Sequence, residues 1–179
     1  MLVVGVRQMN HALLIDDLPV NRQLRFTVAG HTLHLIRTKG ESVEAFYLRL
    51  LAYRLYAERP GLEQHLDWHG KFAPDWACVD LKGNITFYLR TRPLAWDELL
   101  YVLRHHGSAE VALVKILACD WEDDALDELL NHEIRQFKRQ IHYRYLNGRL
   151  GVTFLRPLGE WFDPQQLTVP EDVCRTIRF

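Results

Sequence analysis

The stretch from Ala73 to Thr91 constrains the fold of this chain more than any other part of its sequence. Pro74-Asp75 leads into an apolar segment at about 76–81, Lys82-Gly83 then offers a turn, and a second segment follows at about 84–91. Glycine accepts the positive φ angles of tight turns, so the two segments are predicted to form an antiparallel β-hairpin.

Side chains alternate between the two faces of a strand, and this gives the second segment of the hairpin a predicted orientation. Ile85, Phe87 and Leu89 are expected to share one face of that strand. Thr86, Tyr88 and Arg90 are expected to share the other face.

The remaining elements predict an α/β fold in which helices flank a mixed β-sheet. The helix at about 41–58 has the clearest pattern, because its leucines recur on one stripe and Ser42 can cap its first turn. Asn147-Gly148 is a strong hairpin signal. In chain order we predict a hairpin at 24–36, the helix at 41–58, the central hairpin, a helix at 95–106, a strand at 111–118, a helix at 122–137 and a hairpin at 141–155.

Length and composition favour one globular domain over residues 1–179, with a C-terminal tail at 157–179 that wraps the body. The net charge of −1 creates no overall field for nucleic acid, although a local basic patch remains possible. The three cysteines are odd in number and lack metal-type spacing, which is typical of a reducing compartment. No apolar run has the length of a membrane span, so we expect a cytoplasmic protein without a membrane partner.

Two other groups of residues are candidate binding sites, one for a metal ion and one for nucleic acid. His65, Asp67 and His69 have a spacing at which a helical turn could hold a transition metal. The alternative is that they are ordinary surface residues with no bound metal. A basic group near the C-terminus could contact a phosphate backbone, or it could be a solvated surface that pairs with the acidic run before it. This group comprises Arg135, Lys138, Arg139, Arg144 and Arg149.

Several of these motifs resemble the YaeQ family, small bacterial proteins with the fold of PD-(D/E)XK restriction endonucleases. Glu41-Ser42-Val43-Glu44 followed by Arg49-Leu50-Leu51-Ala52-Tyr53 is similar to the family's helix motif. The Pro74-Asp75 entrance, the central hairpin and the Asn147-Gly148 turn occur where the family has them. The resemblance covers about 24–155 and implies a nuclease-like core over those residues.

The resemblance also implies a site, in which Glu41 or Glu44 matches the helix carboxylate of the family and Asp75 matches its Pro-Asp acid. Leu89 stands where the family has its second metal-binding acid, and Thr91 stands where nucleases of this class have a lysine. Mg²⁺ prefers oxygen ligands, which leucine lacks. Glu44 and Asp75 are then the remaining candidates for weak Mg²⁺ binding.

Two hypotheses on function follow from this incomplete site. The leading one is a YaeQ-like protein with a degenerate nuclease site that acts by binding nucleic acid or a protein partner. The alternative is a Mg²⁺-dependent nuclease that uses Glu44 and Asp75 with a third, unrecognised ligand. Simpler roles for both acids also fit, since Asp75 could stabilise a turn and Glu44 a helix terminus.

Overall fold

The computed structural model describes residues 18–64, 72–117, 123–141, 145, 147–159 and 161–179, and it confirms the predicted α/β class. Among the helices of these residues, none combines the length and apolarity that crossing a bilayer requires. In chain order the elements are β1 (Gln23–Val28), β2 (His31–Ile36), α1 (Val43–Tyr56), β3 (Trp76–Val79), β4 (Ile85–Arg90), α2 (Trp96–His105), β5 (Glu110–Ile116), α3 (Asp123–Gln140), β6 (Leu150–Leu155), a 3-10 helix (Glu171–Val173) and β7 (Cys174–Arg178).

The central sheet has five strands in the order β3-β4-β5-β6-β7. Strands β4, β5 and β6 are parallel, and the outer strands β3 and β7 are antiparallel to their neighbours. Helix α1 and the β1–β2 hairpin pack on one face of this sheet, while α2 and α3 pack on the other. The carboxyl ends of β4 and β5 therefore lie beside the start of β3, at one end of the strands of the sheet.

Helix α1 begins near the same end of the strands, and its first turn is capped by Ser42. The Ser42 hydroxyl oxygen accepts a hydrogen bond from the Ala45 amide at 3.0 Å, as the sequence predicts. Phe46, Leu50 and Leu51 are fully buried between the small hairpin and the central sheet. Burial on two sides fixes the direction in which the helix start points.

At the open end of the central hairpin Trp76 lies opposite Leu89, which is the pairing that a two-residue turn at Lys82-Gly83 predicts. The turn is wider than two residues, since the Asp80 carboxylate accepts hydrogen bonds from the amides of Lys82 and Asn84. The Asn84 side-chain amide also donates to this carboxylate, at 3.0 Å. That side-chain bond is the largest cause of the lowered pKa of Asp80, and the main-chain bonds lower it further.

A bulge in β4 corrects the predicted orientation of that strand. The register shifts by one residue between Cys78 and Val79, so Ile85 lies opposite Val79. Ile85 therefore joins the core under α2 and α3, while Phe87 and Leu89 join the core under α1. The prediction that Ile85 shares a face with Phe87 and Leu89 was wrong for this reason.

The predicted hairpin at 141–155 was also wrong, because β6 already has β5 on one side and β7 on the other. Asn147 and Gly148 do form a turn, with φ angles of 36° and 73°, but this turn leads from a helical residue, Tyr145, into β6. The C-terminal tail supplies the antiparallel partner. The wrapping tail predicted at 157–179 thus ends as a strand of the sheet.

The last residue anchors this strand, which gives a test of its importance. Phe179 stacks on the buried ring of Phe137 with centroids 5.0 Å apart, and its amide donates to the Leu150 carbonyl. We expect Phe179→Ala to lower the free energy of unfolding by about 1–2 kcal/mol, measured by urea denaturation. Arg175→Ala, an exposed position of the same strand, should change it by less than about 0.5 kcal/mol. Equal effects of the two substitutions would contradict the anchoring role of Phe179.

Candidate functional site

The candidate site lies where the end of β4 meets the start of β3, and its central group is the Asp75 carboxylate. The Asp75 amide donates to the Leu89 carbonyl at 2.9 Å, which extends the β3–β4 ladder by one residue. Its side chain is only 3% exposed. A carboxylate at that depth needs donors or a cation, because burial otherwise destabilises its charge.

Both oxygens of Asp75 are engaged by donors of the protein. Oδ2 accepts hydrogen bonds from the Thr91 amide at 2.7 Å and the Thr91 hydroxyl at 2.9 Å. Oδ1 accepts from Nε of Arg92 at 3.0 Å, which also forms an ion pair. A guanidinium group therefore balances this carboxylate, and Thr91, at the position implied for a lysine, donates to it.

Leu89 offers no ligand to this site. Its side chain is fully buried and belongs to the core under α1, together with Phe46 and Trp76. The position that the YaeQ resemblance assigns to a metal-binding acid is thus part of the apolar interior.

Glu41, which precedes α1, lies in a second ion pair with Arg49 of that helix. Its Oε1 atom is 2.8 Å from Nε of Arg49, and its Oε2 atom accepts hydrogen bonds from Arg49 Nη2 and the Thr38 amide, both at 3.0 Å. Both side chains are about nine-tenths buried. The same arginine donates to the Ile36 carbonyl at 2.9 Å. Glu41 therefore fixes the entrance to the helix.

Glu44 and Asp75 line different cavities. One cavity, which we call the apolar crevice, has a volume of about 410 Å³ and includes Glu44. The other, which we call the polar groove, has a volume of about 620 Å³ and includes Asp75. Arg92 lines both cavities and so lies on the boundary between the two acids.

The apolar crevice carries three cations. Arg90 donates from Nη1 to the Ala73 carbonyl at 3.1 Å and to the Tyr88 hydroxyl at 3.3 Å. Lys115 lies 3.8 Å from the Glu133 carboxylate. The remaining cation is Arg92, and Glu44 is the acid that shares this lining.

The Tyr88 hydroxyl supports the Arg90 position. It donates to the Phe72 carbonyl at 2.6 Å, which requires a protonated phenol. Burial raises the pKa of Tyr88, and the nearby Arg90 lowers it less strongly. The phenol thus remains a donor at neutral pH.

The chemistry of these groups does not fit a Mg²⁺ ion held jointly by Glu44 and Asp75. Both oxygens of Asp75 already accept hydrogen bonds, and the Arg92 guanidinium would repel a cation beside them. Within the residues that the structure describes, no three histidine, cysteine, aspartate or glutamate side chains are grouped to hold a metal ion. His65, Asp67 and His69 lie outside the described residues.

The predicted basic group divides into exposed and engaged members. Arg135, Lys138 and Arg139 are exposed on α3 at a spacing that places them along one side of the helix. Arg149 instead donates to main-chain carbonyls at 3.1–3.3 Å, and it ties the end of α2 to the segment before β6. Its four acceptors are Leu103, Tyr145, His106 and Ala109. Arg144 lies outside the described residues.

Sequence reasoning missed Arg92 and Lys115 as residues of the site. One signal for Arg92 was present, because a two-residue turn at Lys82-Gly83 pairs residues near Asp75 with Leu89 and Arg90, which brings Asp75 within reach of the residues that follow β4. Lys115 interrupts an apolar strand, which is also a usable signal. Neither signal says which acid, if any, the cation will contact.

Three substitutions test how strongly the Asp75 carboxylate stabilises the fold. Asp75→Asn replaces an acceptor by an amide that cannot accept from both Thr91 and Arg92, so we expect a loss of about 2–3 kcal/mol in the free energy of unfolding. Thr91→Val removes one donor and should cost about 1 kcal/mol. Glu44→Gln, at an exposed position, is the control and should change it by less than about 0.5 kcal/mol.

Urea denaturation with tryptophan fluorescence measures all three. If Asp75→Asn is as mild as Glu44→Gln, the Asp75 carboxylate does not stabilise the fold through Thr91 and Arg92.

Comparison with known proteins gives a likeness of structure. No protein-family model and no curated protein sequence matches this chain. The crystal structure of the YaeQ protein from Xanthomonas axonopodis pv. citri is similar, with a TM-score of 0.50 and 17% identity over 75% of this chain and 72% of that one. The YaeQ protein from Pseudomonas syringae gives a TM-score of 0.48 and 14% identity over 70% of this chain and 61% of that one. The predicted resemblance is thus confirmed for the fold: this chain has the fold of the Xanthomonas YaeQ protein.

Proposed function

We propose that this chain is a YaeQ-family protein whose nuclease-like scaffold binds nucleic acid without cleaving it. The observation that carries this proposal is the engagement of Asp75. Its two oxygens accept from Thr91 and Arg92, and the neighbouring acid position is a buried leucine, Leu89.

The chemistry of phosphodiester hydrolysis explains why this arrangement favours binding. A nuclease of this class uses a metal ion to activate water and to stabilise the charge that develops on the phosphate. Here Arg92 supplies a positive charge at Asp75, but a guanidinium does not generate a hydroxide nucleophile at neutral pH. Arg92 can still contact a phosphate, because only its Nε donates to Asp75, its Nη2 makes a long 3.5 Å contact with the Ala73 carbonyl, and its side chain is largely exposed.

The position of the cations supports nucleic acid as the ligand. Arg90, Arg92 and Lys115 line one crevice at the carboxyl ends of parallel strands, which is where open α/β sheets commonly bind their ligands. Phosphate contacts provide most of the affinity of nonspecific nucleic-acid binding. The exposed residues Arg135 and Lys138 on α3 offer further phosphate contacts. Glu44 and Glu133 oppose this attraction, so we expect modest affinity.

A cytoplasmic location is part of the proposal. Cys78 and Cys174 are free thiols, as is usual in a reducing compartment. Burial raises the pKa of both thiols, which makes them poor nucleophiles and favours a structural role.

The binding experiment compares two lysine variants. Labelled single- and double-stranded DNA and RNA are incubated with the protein and either Mg²⁺ or Mn²⁺, and both retention and fragment length are measured. We expect retention of intact strands. Lys115→Gln should weaken binding about threefold to tenfold and reduce the salt dependence by about one phosphate contact.

Lys82→Gln is the matched control, since Lys82 is exposed in the β3–β4 turn, at the end of these strands that is opposite to the crevice. It should leave affinity unchanged. Cleavage that Asp75→Ala abolishes would contradict the proposal and favour the Mg²⁺-dependent nuclease that uses Glu44 and Asp75. Failure to retain any nucleic acid would also contradict it, and a protein partner would then be the remaining hypothesis.

A further inference from the structure

The apolar crevice has more apolar wall than contact with a phosphate backbone requires. Trp96 and Leu99 contribute from the first turn of α2 and Leu94 from just before it, while Leu48 comes from α1 and Leu113 from β5. Its volume of about 410 Å³ is near the small end of the range for small-molecule sites in proteins. A single nucleotide matches this size better than a duplex does.

Trp96 is the aromatic group of this wall that is partly accessible. It is half-buried, and its indole meets the buried Phe137 ring edge-to-face with centroids 4.7 Å apart and an interplanar angle of 84°. This contact fixes the ring before any ligand arrives. Aromatic rings held in this way are common stacking platforms for unpaired bases.

Cations line the same cavity. The Lys115 ammonium is 3.8 Å from Glu133 and lies over the Phe137 ring, 5.1 Å from its centroid. Neither contact is a hydrogen bond, so its N–H groups can still donate to an anion. Arg92 uses Nε for Asp75, and its side chain is 55% exposed. A ligand that fits both features has a flat apolar body joined to a phosphate.

We infer that the apolar crevice holds one unpaired nucleobase against Trp96, with the attached phosphate at Arg92 and Lys115. The inference deepens the proposed function and rests on it for the identity of the polymer. It specifies single-stranded or strand-end nucleic acid as the substrate class, because a paired base cannot enter a cavity of this size.

Isothermal titration calorimetry with defined probes tests the inference on the full chain. The probes are AMP, adenosine, inorganic phosphate and decanoate. We expect AMP to bind more tightly than adenosine or phosphate, since only AMP contacts both the ring and the cations. Decanoate binding in the absence of AMP binding would overturn the inference in favour of a fatty-acid site.

Two tryptophan variants and one control separate stacking from loss of structure. Trp96→Ala should weaken AMP binding about tenfold, while Trp96→Phe should retain most of the affinity because the aromatic face remains. Tyr101→Ala removes an exposed aromatic ring from the same helix, outside the crevice lining, and should have no effect. Equal affinity of all three variants would overturn the role of Trp96.

Competition distinguishes this inference from the proposed function. AMP binding without retention of any oligonucleotide would contradict nucleic-acid binding as the function and leave the nucleotide site standing. Retention of single-stranded oligonucleotides that AMP does not displace, and that Trp96→Ala does not weaken, would overturn the nucleotide site alone.

Discussion

The interaction on which the site depends is the compensation of a buried carboxylate by arginine and threonine. In the part of the chain that the structure describes, Asp75 and Arg49 are the charged residues that are buried, and the charge of Asp75 would be destabilising without partners. Thr91 and Arg92 provide three contacts at 2.7–3.0 Å. These contacts fix the segment after β4 against the segment before β3. They therefore determine where Arg92, the cation that follows β4, is placed.

The same principle operates at the start of α1. The YaeQ resemblance assigns Glu41 or Glu44 and Asp75 to a metal site, yet two of these three acids are paired with arginines. Arg49 neutralises Glu41, and Arg92 neutralises Asp75. Each guanidinium supplies the positive charge that a divalent cation would otherwise supply. Glu44 alone is left exposed, in a different cavity from Asp75.

Much of this arrangement was predictable from local patterns. The turn at Gly83 and the apolar alternation place Trp76 opposite Leu89 and bring Asp75 beside the end of β4. The Ser42 side chain caps α1 as its residue type suggests. Local patterns cannot reveal the bulge that moves Ile85 to the other face, because a bulge depends on how the two strands match along their length. Local patterns also do not predict β7, because β7 pairs with β6 across a long connection and no hairpin turn joins the two strands.

The central claim, that Arg92 rather than a metal ion balances Asp75, has one direct test. Crystals grown with Mn²⁺ allow the ion to be located by its anomalous scattering. We predict no anomalous peak within bonding distance of Asp75, with Arg92 Nε still about 3 Å from Oδ1. A peak bonded to Asp75 and to Glu44, with Arg92 displaced, would contradict the account and restore metal chemistry to this site.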